Sequence, residues 1–206
     1  MKLKGLYAIT DPVLTPYKEG KIFEKVEAAL RGGAKLIQLR DKKTSIDELL
    51  PIAIKLKELC EKYEAFFIVN DRVDLAIKCN AHGVHLGKAD MSPFKARKLL
   101  GPYKILGVSC YGDVERALSV SKVASYVAFG SFYPSPTKPD ATCISKEVLK
   151  KAKTTLDLPV CAIGGITPER AKELVELGAD MIAVISSLWK AEDIEEQAKK
   201  FARLFS

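Results

Sequence analysis

The sequence predicts an α/β fold: a closed (β/α)8 TIM barrel of parallel strands that forms a single domain over residues 1–206. Three observations lead to this fold class. Short β-type runs alternate with longer stretches whose apolar residues have helical spacing. Eight such runs occur, and the alternation is never broken by consecutive strands. The length of 206 residues allows one compact core but is short for two domains.

The predicted strands are mostly continuous apolar runs, which is typical of parallel strands covered on both faces. A segment with helical spacing follows each of them. They cover Leu6–Thr10, Lys35–Arg40, Phe66–Asn70, Gly83–Gly87, Ile105–Cys110, Tyr126–Ser131, Val160–Gly164 and Met181–Ser186.

Helix end signals support the same reading. Thr167-Pro168-Glu169 supplies an N-cap, a first-turn proline and an early acid, and Gly178 ends the same helix. Gly32-Gly33 separates the first helix from the second strand. A doubly wound open sheet is the competing architecture, and it normally carries a G-x-G-x-x-G turn after its first strand. Thr10-Asp11-Pro12 occupies that position, so closure into a barrel is favoured.

The composition, with 48% apolar and 29% charged residues, is that of a globular protein. A net charge of +7 favours anionic partners, and we expect these to be small phosphorylated molecules. The basic residues are interspersed with Glu, and no helix-turn-helix pattern occurs, so no nucleic acid partner is expected. No apolar run approaches the ~20 residues needed to cross a bilayer, so no membrane partner is expected either.

The cysteines and the N-terminus predict a cytoplasmic protein. Five cysteines, an odd number without C-x-x-C spacing, indicate neither a disulfide framework nor a zinc site. The first residues lead directly into a strand and lack the pattern of a signal peptide. The sequence leaves open whether the chain forms a homo-oligomer.

Polar residues cluster where the predicted strands end. The carboxyl ends of all strands of a barrel open into one mouth, so these residues are expected to converge. Any one of them could be an ordinary turn residue, but together they favour a site for anions and a metal. The set comprises Gln38, Arg40, Lys42, Asn70, Asp71, His85, Asp90, Ser109, Ser135, Thr137, Lys138, Gly164, Gly165, Ser186 and Ser187.

The last two strand ends predict a phosphate site. Barrels of this kind often hold a phosphate between the loops after strands 7 and 8, on backbone N–H groups at helix N-termini. Gly164-Gly165 allows the backbone to approach phosphate oxygens, and Ser186 and Ser187 add N–H and hydroxyl donors. Gly165 could alternatively be only a turn glycine, but the agreement of both loops favours phosphate.

The first half of the chain predicts a larger anion together with Mg²⁺. Gln38, Arg40 and Lys42 alternate on one side of an extended segment, where Arg40 can grip two phosphate oxygens. An ion pair between Arg40 and Asp41 is the alternative. Asp71 and Asp90 would repel a diphosphate unless a cation intervened, and Mg²⁺ binds one or two carboxylates plus phosphate oxygens.

The segment 133–139 is rich in proline and carries Ser135, Thr137 and Lys138. Lys138 could meet a leaving phosphate from the opposite rim if this loop folded over the site. A rigid surface turn is the alternative. His82 and His85 are not expected to share a metal, because their spacing in a strand directs them to opposite faces, and both are assigned structural roles. Cys110 is not expected to be a nucleophile.

These motifs, taken in order, closely resemble the thiamine-phosphate synthase family, also called thiamin-phosphate pyrophosphorylase. The resemblance runs nearly from end to end. The matching segments are residues 6–11 (LYAITD), 38–42 (QLRDK), 69–72 (VNDR), 83–87 (GVHLG) with Asp90, 107–109 (GVS), 129–130 (FG) with Thr137 and Lys138, and 162–166 (AIGGI).

The resemblance implies that 4-amino-5-hydroxymethyl-2-methylpyrimidine diphosphate combines with 4-methyl-5-(2-phosphoethyl)thiazole, or its carboxylate form, and that pyrophosphate departs with the help of Mg²⁺. It implies catalytic roles for Arg40, Lys42, Ser109 and Lys138. It also implies ligand contacts that fall into three groups: Gln38, Arg40, Lys42, Asn70, Ser109 and Lys138 for the pyrimidine diphosphate, Asp71 and Asp90 for Mg²⁺, and Ser135, Thr137, Gly165, Ile185 and Ser186 for the thiazole phosphate.

Two departures from the family pattern concern substrate contacts. Lys88 stands where Gln is common, and Cys110-Tyr111 follow Ser109 where Thr or His often appears. The alternative is a thiazole tautomerase or another phosphate-binding barrel enzyme. The tautomerases resemble this chain less, since they lack the Gln-x-Arg-x-Lys and Thr-Lys signatures and rely on a His in the region of Tyr111.

Overall fold

A computed structural model describes residues 2–135 and 142–205. In these residues eight parallel strands pair in chain order, and the last strand pairs with the first to close a barrel. The strands are β1 (Gly5–Ile9), β2 (Leu36–Leu39), β3 (Phe66–Asn70), β4 (Gly83–Leu86), β5 (Ile105–Tyr111), β6 (Tyr126–Phe129), β7 (Val160–Ile163) and β8 (Met181–Val184). The closed barrel confirms the predicted fold class and excludes the open sheet.

Helices follow the strands and cover the outside of the barrel. They are α1 (Lys21–Arg31), α2 (Ile46–Lys62), α3 (Val73–Lys78), α4 (Pro93–Leu100), α5 (Val114–Val120), α6 (Glu147–Thr155), α7 (Pro168–Glu176), α8 (Ser186–Trp189) and α9 (Ile194–Ala202). Short 3-10 turns lie at Lys18–Gly20 and Arg203–Phe205. The α8 helix is additional to the one-helix-per-strand pattern.

The predicted helix boundaries at α7 are confirmed. The side chain of Thr167 accepts a hydrogen bond from the Arg170 N–H, and Pro168 occupies the first turn. Gly178 adopts a φ of +103°, a left-handed conformation that a residue with a side chain rarely takes. Several strands end one or two residues before the predicted boundary. Backbone pairing with the neighbouring strand stops there, and the chain turns into a loop. Arg40, Gly164 and Ser186 therefore lie just beyond their strands.

Two apolar clusters hold the barrel together. The larger one packs the outer faces of the strands against the helices and includes Leu6, Ile37, Val84 and Leu149. The inner cluster fills the barrel, and its members are Tyr7, Ile9, Leu36, Ile68, Ile105, Tyr126, Ala128, Cys161, Met181 and Ala183. Because alternate residues of a strand point inward and outward, one strand contributes to both clusters. Because the interior is filled, the site is expected above the strand ends.

All five cysteines are free, and four of them are buried, as the absence of a disulfide pattern predicted. In residues 2–135 and 142–205, no helix has the length and apolar character that crossing a membrane requires.

Candidate active site

A cavity of about 700 Å³ opens at the carboxyl ends of the strands. The strand-end residues that the sequence predicted to converge lie on its walls in most cases. The predicted site residues that line it are Gln38, Arg40, Asn70, Ser109, Ser135, Gly165, Ile185 and Ser186. Strands from both halves of the barrel therefore contribute to one space, as parallel strands in a closed barrel require.

A charged group lies beside the cavity, at the ends of β3 and β4. Lys42 Nζ is 2.8 Å from Asp71 Oδ2, and Asp71 directly follows the cavity residue Asn70. The Gly87 N–H donates to Asp90 Oδ2 at 2.6 Å. Burial and a hydrogen bond with Asp71 raise the pKa of Asp90, since two adjacent carboxyl groups cannot both ionise easily. The three predicted residues Lys42, Asp71 and Asp90 thus form one cluster.

This cluster suits Mg²⁺. Within the described ranges, no group of three or more His, Cys, Asp or Glu side chains forms a complete metal cage. A pair of adjacent carboxylates is nevertheless what Mg²⁺ uses when substrate phosphates and water complete its shell. A cation at Asp71 and Asp90 would relieve the repulsion that raises the pKa of Asp90. The two residues predicted to bind the metal therefore fit it.

Asn70 carries an unsatisfied donor. The residue is 8% exposed, and among the described residues its buried Nδ2 atom has no hydrogen-bond partner. Leaving a buried amide without a hydrogen bond costs about 1–3 kcal/mol of free energy, so such groups usually have a partner. Because Asn70 lines the cavity, a bound ligand is the natural acceptor.

The loop after β2 is built around Asp41. Its carboxylate accepts hydrogen bonds from the Lys43 and Thr44 N–H groups and from the Thr44 and Tyr17 hydroxyls. Burial alone would raise the pKa of Asp41, but these four donors outweigh it and lower the pKa to about 2. Among the described residues Arg40 has no ion pair, so the alternative Arg40–Asp41 pair is not formed, and Arg40 faces the cavity instead.

The opposite wall contains backbone and hydroxyl groups that follow β7 and β8, together with the side chains of Arg170 and Lys190. Gly164 and Gly165 adopt φ values of +107° and +60°. A side chain at Gly165 would collide with the backbone of Pro134, so glycine is also needed for packing against the loop after β6. Ser186 starts the short helix α8, which is held in place because the Trp189 ring N–H donates to the Ile9 carbonyl at 2.6 Å.

The family model for thiamine monophosphate synthase matches residues 6–188 of the chain. This chain belongs to the thiamine monophosphate synthase family. Curated relatives agree over nearly their whole length. The thiamine-phosphate synthase of Thioalkalivibrio sulfidiphilus is 44% identical and covers 99% of this chain and 96% of its own. That of Nitrosococcus oceani is also 44% identical, covering 98% of this chain and 93% of its own.

A solved structure shares the architecture. The thiamine phosphate pyrophosphorylase from Pyrococcus furiosus superposes with a TM-score of 0.88 at 39% identity and covers 98% of this chain and 95% of its own. The predicted family is therefore confirmed by sequence and by fold. The individual roles of the site residues stay predictions.

Two site predictions fall outside the described residues. Thr137 and Lys138 belong to the segment 136–141, so the prediction that Lys138 meets the leaving phosphate stays a prediction. Ser135, at the edge of that segment, lines the cavity.

Sequence reasoning missed several cavity residues in this member of the thiamine monophosphate synthase family. His85 was in the strand-end set expected to converge but was assigned a structural role; it lines the cavity, and its Nε2 lies 2.8 Å from Ser109 Oγ. Its position at the end of β4 was the available signal. Arg170, in α7, and Lys190, directly after α8, also line the cavity, and no strand-end rule could select them. His82 faces the other side, where its Nδ1 accepts from the Phe67 N–H.

The two departures from the family pattern are neighbours in space. The Lys88 N–H donates to the Tyr111 hydroxyl at 3.2 Å, and Tyr111 lines the cavity. Tyr111 has a φ of +58°, unusual for a side chain of this size. The phenol therefore braces the loop that carries Asp90. Cys110 is buried, and burial raises the pKa of its thiol to about 12, so it is not a reactive nucleophile.

Proposed function

We propose that this chain is the transferase that condenses 4-amino-5-hydroxymethyl-2-methylpyrimidine diphosphate with 4-methyl-5-(2-phosphoethyl)thiazole to give thiamine phosphate and pyrophosphate. With the carboxylate form of the thiazole, CO2 is released as a third product. The observation that carries the proposal is one cavity with two different anion-binding walls. Arg40 and the Lys42, Asp71 and Asp90 cluster adjoin one wall, while Gly165 and Ser186 form the other. Two phosphorylated substrates need such a pair of sites.

The reaction that the proposal requires is a substitution at the exocyclic carbon of the pyrimidine. The carbon–oxygen bond breaks and its electron pair leaves with diphosphate. The lone pair of the thiazole nitrogen then forms the new carbon–nitrogen bond, which leaves the positive charge on the thiazolium ring. Because the nitrogen that attacks carries no hydrogen, the site needs no general base. Catalysis reduces to holding two substrates and stabilising the departing anion.

The chain's own residues divide this work. Asp71 and Asp90 would hold Mg²⁺, which when bound supplies positive charge to the diphosphate oxygens. The guanidinium of Arg40 suits a fork of two phosphate oxygens, and Lys42, whose Nζ lies 2.8 Å from Asp71, adds a point charge. The unpaired amide of Asn70 would donate to the same substrate. Lys138, outside the described residues, is proposed to add positive charge for the departing diphosphate.

The second wall is proposed to hold the thiazole phosphate. Backbone N–H groups around Gly165 and Ser186 suit a monophosphate that is bound and not cleaved. Arg170 and Lys190 place further positive charge on this side of the cavity. The five free thiols fit a reducing compartment, and we place the reaction in the cytoplasm on that ground.

The decisive experiment mixes the purified chain with both precursors and Mg²⁺. Chromatography should detect thiamine phosphate, and a coupled assay should detect pyrophosphate in equal amount. Reactions without either precursor are the controls. Lys138→Ala should lose most of its turnover while its Tm stays at the wild-type value. Absence of thiamine phosphate from the complete mixture would overturn the proposal and favour a tautomerase or another phosphate-binding barrel enzyme.

A further inference from the structure

A chain of four hydrogen bonds crosses the barrel below the cavity. Gln38 Nε2 donates to the Tyr7 hydroxyl at 2.6 Å, and that hydroxyl lies 2.9 Å from the Tyr126 hydroxyl. Tyr126 in turn lies 2.8 Å from His85 Nδ1, and His85 Nε2 lies 2.8 Å from Ser109 Oγ. The two ends of the chain, Gln38 and Ser109, line the cavity, while the two tyrosines are buried.

The register between neighbouring strands brings these hydrogen-bonded side chains together. His85, Gly107 and Tyr126 are paired neighbours on β4, β5 and β6. A side chain at Gly107 would overlap the phenol of Tyr126, so the glycine provides the space in which that ring lies. The rings of Tyr126 and His85 stack over it, with centroids 5.6 Å apart and planes inclined by 24°. The contact between Tyr126 and His85 is therefore built into the interior of the barrel by the strand register and by the glycine at position 107.

Counting the hydrogens that each group can donate gives this series of hydrogen bonds a direction. A phenol has one hydrogen to donate, and the Tyr7 oxygen already accepts from Gln38. Among the described residues, the only other partner of the Tyr7 hydroxyl is Tyr126, so Tyr7 donates to Tyr126. In residues 2–135 and 142–205, Tyr126 then has only His85 Nδ1 to donate to. Each buried hydroxyl is satisfied in this arrangement, as buried polar groups generally are.

The same count determines the imidazole and the serine. If His85 Nδ1 accepts, the neutral ring carries its hydrogen on Nε2 and donates it to Ser109 Oγ. The hydroxyl hydrogen of Ser109 is then left to point into the cavity. An anionic diphosphate only accepts hydrogen bonds, so a donor is what Ser109 must present. Burial raises the pKa of both Tyr7 and Tyr126, which keeps both phenols protonated.

We propose that Tyr7 and Tyr126 are positioning residues that set the direction of the hydrogen bonds offered to the pyrimidine diphosphate by Gln38 and Ser109. At one end, the amide of Gln38 is anchored through its nitrogen, which leaves its oxygen to accept from an amino group. At the other end, Ser109 becomes a donor to a phosphate oxygen. The substrate assignment rests on the proposed function, whereas the direction of the chain does not.

The direction can be measured by NMR of the protein with ¹⁵N-labelled histidine. Only His82 and His85 are present, and His82 serves as an internal reference because its Nδ1 accepts from the Phe67 N–H. In the wild type, His85 should carry its hydrogen on Nε2. Tyr126→Phe should change the nitrogen shifts of His85 and leave those of His82 unaltered. A hydrogen on Nδ1 of His85 in the wild type, or an unchanged His85 in Tyr126→Phe, would overturn the proposal.

Kinetics test the link to substrate. Tyr126→Phe and Tyr7→Phe should each raise KM for the pyrimidine diphosphate about tenfold, the effect of one lost buried hydrogen bond. KM for the thiazole phosphate should stay unchanged. Tyr63→Phe is the matched control, because its hydroxyl also donates to a side chain, Glu27, but on the outer surface. A fall in Tm without any change in KM would show that the tyrosines are merely structural and would refute the positioning role.

A double-mutant cycle tests whether Tyr126 acts on the substrate through Ser109. If Tyr126 acts through Ser109, Tyr126→Phe should have little further effect in a Ser109→Ala background, so the two effects are not additive. Full additivity would contradict the proposal. If the wild-type chain formed no thiamine phosphate, only the proposed function would fail, and the histidine spectrum would still decide the direction of the hydrogen bonds.

Discussion

The two walls of the cavity offer different groups to an anion. The wall at β2 to β4 adjoins charged side chains, with Lys42, Asp71 and Asp90 in one cluster. The wall at β7 and β8 has two glycines with positive φ and the first turn of a short helix, and Arg170 and Lys190 lie on the same side. Charged side chains beside the proposed metal site suit charge that develops as a bond breaks, whereas backbone N–H groups suit an anion that does not change. We therefore expect the first wall to bind the reacting diphosphate and the second to bind the anchored monophosphate.

Removing a proposed metal ligand should have the largest effect. Asp71→Asn keeps the shape of the side chain but removes its negative charge and its ion pair with Lys42. We expect kcat/KM to fall by about two to three orders of magnitude, because the charge placement that lowers the barrier is lost. Steady-state assays over a range of Mg²⁺ concentrations measure it. Asp74→Asn, an exposed acid three residues along, is the control, and equal activity of the two variants would disprove the metal role.

Arg40→Met should come next, with kcat lowered roughly a hundredfold while the stem of the side chain still packs. The loss should appear in kcat, since Arg40 is proposed to act on charge that grows during departure of diphosphate. Lys43→Met, an exposed cation in the same loop, should remain close to wild type. A rise in KM alone, with kcat intact, would move Arg40 from the reacting side to simple binding.

Asp41 tests how the loop that carries Arg40 is held. The folded pKa of about 2 lies below the ordinary value of 3.8, so the carboxylate stabilises the fold above about pH 4 and this stabilisation is lost as pH falls through 2. Asp41→Asn should therefore lower the free energy of unfolding by about 1–2 kcal/mol at pH 7. Denaturant titrations at pH 7 and pH 2 should show the difference from wild type shrinking. Asp47→Asn, exposed in the next helix, is the control.

The smallest effect should come from the second wall. Ser186→Ala removes one hydroxyl but keeps the backbone donors of α8, so KM for the thiazole phosphate should rise about fivefold with kcat nearly unchanged. Varying each substrate in turn measures it, with Ser119→Ala on the exposed face of α5 as the control. A loss of kcat comparable to that of Arg40→Met would erase the distinction between the two walls.

The strands and their polar ends were accessible from the sequence because both depend on local pattern. An apolar run shows where a strand lies, and the first polar residues after it lie at the mouth of the barrel. Gln38, Arg40 and Ser109 were found in this way, and all three line the cavity. Arg170 and Lys190 were not found, since their positions depend on how α7 and α8 lie across the mouth.

The sequence by itself determined the (β/α)8 barrel, the family and the set of strand-end residues, because alternation of apolar runs and the order of short motifs are properties of the chain. Only the tertiary structure decided that His85 reaches Tyr126 across Gly107 and that Tyr7 is hydrogen-bonded to Gln38. These contacts depend on register between strands and on closure of the barrel. No local periodicity specifies how far one strand is shifted against the next, so which inward side chains meet is settled only when the barrel closes.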